Sequence, residues 1–155
     1  MVIDMNQKKK DICLEFDAIS ENEALARVVI AAFLTELDPT LEELQDVKTA
    51  VSEAVTNAII HGYQEKGGRI TMKACLLGEE LEVMIEDYGV GIENVQKAME
   101  PLFTTSPETE RAGMGFAFME AFMDKLMVES TVGVGTKITM QKKFEPVKAW
   151  KNCQV

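Results

Sequence analysis

Residues 52–62, SEAVTNAIIHG, constrain the fold more than any other stretch of this chain. Read as an α-helix, they place Glu53, Asn57 and His61 at i, i+4 and i+8, on one face that drifts by only about 40° per step. The residues between them, Ala54, Val55, Ala58, Ile59 and Ile60, are apolar. A helix apolar around most of its circumference packs into a core. An amide or an imidazole buried there without partners would cost about 1–3 kcal/mol, and a carboxylate more. The polar row must therefore face a cavity, and the remaining elements must be arranged so as to leave one.

Hydrophobic periodicity supplies those elements. ICLEF (12–16) alternates like a short strand. Residues 21–37 repeat like a helix, with Leu25, Val28, Val29, Ala32, Phe33 and Leu37 on one stripe and a capping box formed by Ser20 and Glu23. DPT (38–40) ends that helix and opens the next. Pro39 suits its first turn, Thr40 with Glu43 offers a second capping box, and Gly62 is its stop. RITMKACLL (69–77) and LEVMIED (81–87) alternate with Ile70, Met72, Ala74, Leu76, Leu81, Val83 and Ile85 inward, which predicts a hairpin. A short helix at 92–99, an irregular loop at 100–113, a helix at 114–126, and strands at 127–131 and 136–143 around the VGVG turn complete the pattern. The expected fold class is α+β: one domain over residues 1–155, a two-layer sandwich with helices on one face of a mixed, mostly antiparallel sheet.

Composition narrows the function. A chain of 155 residues suits one core, and a net charge of −10 argues against the basic footprint of nonspecific nucleic-acid binding. It leaves room for an anion at a local positive site such as a helix N-terminus. Cys13, Cys75 and Cys153 lie far apart without a CxxC, so neither a zinc site nor a disulfide framework is expected. MVIDMNQKKK has no apolar run after its lysines, and no stretch reaches the roughly 20 apolar residues of a membrane span. A cytoplasmic protein without membrane contact is the expectation.

Three segments carry chemistry. Besides the helical row, EDYGVGI (86–92) takes a strand end at Asp87 into a turn with Gly89 and Gly91, and RAGMGFAF (111–118) sets Gly113 and Gly115 at a helix start. Asp87 is a lone acceptor suited to an exocyclic amine. Gly89 and Gly91 permit positive φ and close approach to a flat ring. N–H groups at Gly113 and Gly115 suit phosphate. Asn57 offers an oxygen to Mg2+, and Glu53 one turn away could deprotonate a nucleophile that attacks a terminal phosphate. Each has an ordinary reading as well: a common GxG turn, a plain helix entry, a solvated helix face, and for His61 a favourable helix C-terminus. Neither Walker A nor the Rossmann GxGxxG is present. Their order along the chain says more than any one of them.

That order resembles the ATP-binding family shared by gyrase B, Hsp90, histidine kinases and MutL. EAVTNAIIH looks like its N box, DYGVGI its first glycine box and GMGF its second. SENEALARVVIAAF, LDPTLEEL, PLFTTSPETERAGMGF and VGVGTKI extend the resemblance to one branch, the anti-sigma serine kinases of endospore-forming bacteria, over about residues 11–141. Tyr88 departs from the small or acidic residue that often follows the aspartate in this family.

The resemblance implies ATP/ADP and Mg2+ as cofactors. It makes Glu53 the catalytic base and Asn57 the metal ligand. Asp87 contacts adenine, with Gly89, Gly91 and Thr136 beside it. Gly113, Met114 and Gly115 form the phosphate loop. Residues 100–112 form a lid with Thr104, Thr105 and Arg111 facing the triphosphate, and Glu23 and Arg27 lie on the partner surface. The implied partners are a sporulation sigma factor, an anti-anti-sigma protein phosphorylated on serine, and a second copy of the chain. No phosphoaccepting histidine domain is expected, since His61 is the one histidine of this sequence and lies within the N box, so the phosphoryl group is expected to go to another protein or to water. Two alternatives stand beside this: a stress-response anti-sigma kinase, and a sigma-binding module that uses nucleotide only as a structural ligand.

Overall fold

Period-two alternation is the plainest signal in the chain, and the sheet follows it. The structure is a computed structural model that describes residues 8–100 and 114–145. Strands β1 (Lys9–Asp17), β2 (Arg69–Leu77), β3 (Glu80–Asp87), β4 (Lys125–Thr131) and β5 (Gly135–Lys143) form one sheet in the order β1-β2-β3-β5-β4. Every ladder among the described residues is antiparallel, so the sheet is antiparallel throughout instead of mixed. Ile70, Met72, Ala74, Leu76, Leu81, Val83 and Ile85 all face the core, as the alternation predicts. β1 is longer than ICLEF because its polar flanks continue the ladder, from Lys9 opposite Leu77 to Asp17 opposite Arg69.

Helices α1 (Glu21–Phe33), α2 (Leu41–Asn57) and α4 (Gly115–Phe122) contribute Ile30, Phe33, Val47, Val51, Val55 and Met119 to the same core. α3 (Val95–Ala98) is a single turn capped by Asn94, whose side chain accepts from Lys97 N–H at 3.0 Å. α2 has the expected capping box: Glu43 N–H donates to Thr40 Oγ1 at 3.1 Å, and Thr40 N–H donates to Glu43 Oε2 at 2.9 Å. Pro39 lies just ahead of the cap and outside the first turn.

Five expectations about the helices are corrected. α1 buries Ala26, Ile30 and Phe33, whereas Leu25 is 43% and Val28 66% exposed. Almost every residue from Ala24 to Leu34 is apolar, so several stripes fit the pattern and tertiary packing selects among them. α1 also stops at Phe33, followed by a 3-10 turn, Thr35–Leu37. Ser20 does not cap α1: its own backbone is helical, and it makes no capping bond.

α2 does not run as a regular α-helix to Gly62. Ala58–Gly62 is a π-turn, closed by Tyr63 N–H to the Ala58 carbonyl at 2.9 Å. α4 ends at Phe122, four residues earlier than periodicity suggests. Met123 turns extended, Asp124 N–H bonds the Gln141 carbonyl at 2.8 Å, and Lys143 N–H bonds Asp124 Oδ2 at 2.7 Å, so β5 captures the chain before another helical turn can form.

Candidate functional site

Two members of the helical row, Asn57 and His61, face a cavity, and Glu53 does not. The cavity encloses about 480 Å3, a size suited to a small organic ligand, and its walls include Asn57, His61, Asp87, Gly91, Gly115 and Thr136. Gln64, Asn94, Lys97, Phe116 and Ile138 complete much of the lining, and residue-type reasoning singled out none of them.

At one end, α4 begins against the polar row of α2. A Cβ added to Gly115 would sit 3.1 Å from Asn57 Oδ1 and 3.4 Å from Glu53 Oε2. A side chain there would require Asn57 to give way by a few tenths of an ångström. Glu53 is 4% exposed and lies behind Asn57, off the cavity wall.

At the other end stands Asp87, 6% exposed, at the last position of β3 and opposite Thr136 of β5. Its Oδ1 accepts Gly89 N–H at 2.9 Å. Burial pushes the carboxyl above its usual range, against the hydrogen bonds from Gly89 and Thr136. A buried carboxylate with unspent acceptor capacity on a cavity wall is suited to a ligand N–H.

The turn after Asp87 is shaped by backbone contact. Gly91 has φ of +76° and lines the cavity, as expected of a residue that needs the left-handed region. Gly89 has another role: a Cβ there would strike the Gly62 carbonyl, and Gly89 does not line the cavity. Val90 N–H donates to that same carbonyl at 2.9 Å. Gly62 is equally constrained, since a Cβ would lie 2.7 Å from Asp87 Cγ. The π-turn thus presses its end against the turn that follows Asp87.

Tyr63 fastens this contact: its hydroxyl accepts Tyr88 N–H at 2.8 Å and donates to the Arg69 carbonyl. Ser130 ties the far side, accepting Ile92 N–H at 2.7 Å and bonding Thr136 Oγ1 at 2.8 Å. Neither residue carries a sequence signal, because Tyr88 N–H and Ile92 N–H, the groups they hold, are main-chain groups 25 and 38 residues away.

His61 lines the cavity, and burial lowers its pKa, so at neutral pH it presents an uncharged imidazole. Met114 is the N-cap of α4 and half-buried, off the cavity wall. Thr104, Thr105, Arg111 and Gly113, with the lid from 101 onward, lie outside the described residues. Glu23 and Arg27 pair at 3.3 Å on α1, away from the cavity lining. Among the described residues no group of three His, Cys, Asp or Glu could hold a metal; Asn57, with one amide oxygen, lines the cavity. Mg2+ commonly takes one or two protein ligands and fills the rest with water and phosphate oxygens, so this donor set fits it.

A sheet of this order, with an amide-and-carboxylate helix at one end of a cavity and a buried aspartate at the other, belongs to a recognised class. Residues 16–142 match the family described as the histidine kinase-like ATPase domain. The solved structure of the RsbU and RsbW domains of Rv1364c from Mycobacterium tuberculosis shares the fold at a TM-score of 0.62 and 19% identity, over 87% of this chain and 32% of that one. Within the class, the anti-sigma F factor of Clostridium acetobutylicum is 62% identical over 131 residues, covering 84% of this chain and 92% of that protein. The anti-sigma F factor of a Thermoanaerobacter species is 58% identical over 129 residues, covering 83% and 90%. The chain belongs to the anti-sigma F factor family.

Proposed function

We propose that this protein holds a sigma factor of the sporulation F type inactive while ATP is bound, and that it phosphorylates a serine of an anti-anti-sigma protein. Asp87 receives the adenine amine, with Gly91 and Thr136 beside it. Gly113, Met114 and Gly115 offer the α4 N-terminus to the phosphates, and Asn57 holds Mg2+. ATP supplies the phosphoryl group, and Mg2+ balances its charge. Glu53 accepts the serine hydroxyl proton as that oxygen attacks. Glu23 and Arg27 on α1 contact the protein partners, and the working unit is a cytoplasmic homodimer.

One observation carries the reading: Glu53 and Asn57 stand together where α4 begins, within 3.4 Å and 3.1 Å of a Cβ built on Gly115. A base, a metal ligand and a phosphate-facing helix end are what serine phosphorylation needs in one place. A second reading is favoured by the burial of Glu53 behind the cavity wall: nucleotide serves as a structural ligand of a sigma-binding module, without phosphotransfer.

Labelled ATP, Mg2+ and the anti-anti-sigma protein separate the two. The kinase reading expects phosphoserine on that protein. It also expects Glu53→Ala to lose about 100-fold or more of the transfer rate, while ATP and sigma F still bind. No phosphoserine with the unmodified chain leaves the structural-ligand reading.

A further inference from the structure

We propose that Ser52 is a positioning residue, whose hydroxyl sets the orientation of Arg27 on the partner-facing side of α1 through the carboxylate of Glu23; this rests on the reading of Arg27 as a partner contact. Ser52 is buried in α2, next in sequence to Glu53, and its hydroxyl donates to Glu23 Oε1 across the α1–α2 interface. The same Oε1 faces Arg27 Nε at 3.3 Å. Arg27 Nε is itself buried and makes no well-aligned hydrogen bond, although its side chain as a whole is 43% exposed. The guanidinium is therefore held at its inner nitrogen by one carboxylate oxygen, and that oxygen is held by Ser52.

The unused capping box supports this. Ser20 and Glu23 have the spacing for reciprocal capping, worth about 1 kcal/mol to a helix. In the fold, Glu23 N–H bonds only the Ser20 carbonyl, at 3.2 Å, and the Glu23 carboxylate turns to Ser52 and Arg27 instead. The local helix signal is overridden by a link between helices. An arginine fixed before its partner arrives loses less side-chain freedom on binding, so a partner carboxylate meets a guanidinium already in place. Replacing the hydroxyl with hydrogen frees Glu23, and with it Arg27.

The test uses the full chain, ATP and sigma F as the probe. Ser52→Ala should weaken sigma F binding about fivefold to tenfold, with ATP affinity unchanged. Ser52→Thr, which keeps the hydroxyl, should restore binding and guards against a folding defect peculiar to position 52. In an Arg27→Ala background, Ser52→Ala should have no further effect. The Arg27 Nε–H resonance of the free protein should move in Ser52→Ala.

The same loss from Ser52→Ala in both backgrounds, or an unmoved resonance, overturns the link while leaving α1 as the partner surface. Normal sigma F binding by Arg27→Ala removes the partner reading itself, and the proposal with it.

Discussion

Asp87 sits where the fold opposes its charge. Its folded pKa is raised, chiefly by burial, above the ordinary 3.8. A carboxyl shifted this way stabilises the fold fully below its unfolded pKa, and that stability is lost as pH rises through the folded value. At pH 7 the free protein therefore carries a penalty that a neutral isostere lacks. Asp87→Asn keeps an oxygen for Gly89 N–H. It should raise the melting temperature of the free protein at pH 7 by a few degrees, with the gain vanishing below about pH 4. The same substitution should remove most nucleotide affinity. Thermal melts from pH 3.5 to 8, with and without ATP, would check both; a lower melting temperature at pH 7 would contradict the argument.

Gly115 makes a second residue-scale case. Alanine there brings a methyl within 3.1 Å of Asn57 Oδ1, tight enough to shift that side chain by a few tenths of an ångström, and to 3.4 Å from Glu53 Oε2. Phosphotransfer should fall by about tenfold or more, while overall stability changes by no more than about 1–3 kcal/mol. Rate measurements beside a denaturant titration separate the two effects.

Among the elements, legibility followed how many arrangements each pattern allows. β2 was legible to the residue, because strict alternation over RITMKACLL fits one face only. Thr40 and Glu43 were legible because both halves of the box lie within one turn. The register of α1 was not, since a nearly continuous apolar run fits several faces and the choice falls to packing against α2. The π-turn was hidden for a different reason: its causes are contacts of Gly62 and Tyr63 with residues 87–90, which no local pattern encodes.

The candidate site divides the same way. Glu53, Asn57, Asp87, Gly91, Gly115 and Thr136 could be picked out from motif and resemblance, whereas Tyr63 and Ser130 act through distant backbone. Tyr63→Phe removes one hydroxyl that serves Tyr88 N–H and the Arg69 carbonyl. It should cost about 1–2 kcal/mol and speed hydrogen exchange at Tyr88 and Val90 more than in β2. Uniform acceleration across the sheet would point to general destabilisation instead.

For the molecule as a whole, nucleotide and fold should be coupled. A ligand bound only by the folded state adds RT ln(1 + [L]/Kd), or about 2.7 kcal/mol at a hundredfold excess over Kd. ATP at that excess should raise the midpoint of urea unfolding accordingly. The shift should disappear in Asp87→Asn and survive in Glu53→Ala. An equal shift in all three proteins would place the bound nucleotide outside the described cavity.

The position of β5 has one more consequence. The last strand among the described residues lies inside the sheet, between β3 and β4, and brings Thr136 and Ile138 to the cavity wall. During synthesis, β4 therefore leaves the ribosome before its one sheet neighbour, and that wall of the cavity stays unfinished until β5 slots in. An immature chain has no complete pocket to load, so nucleotide retention would mark completed translation.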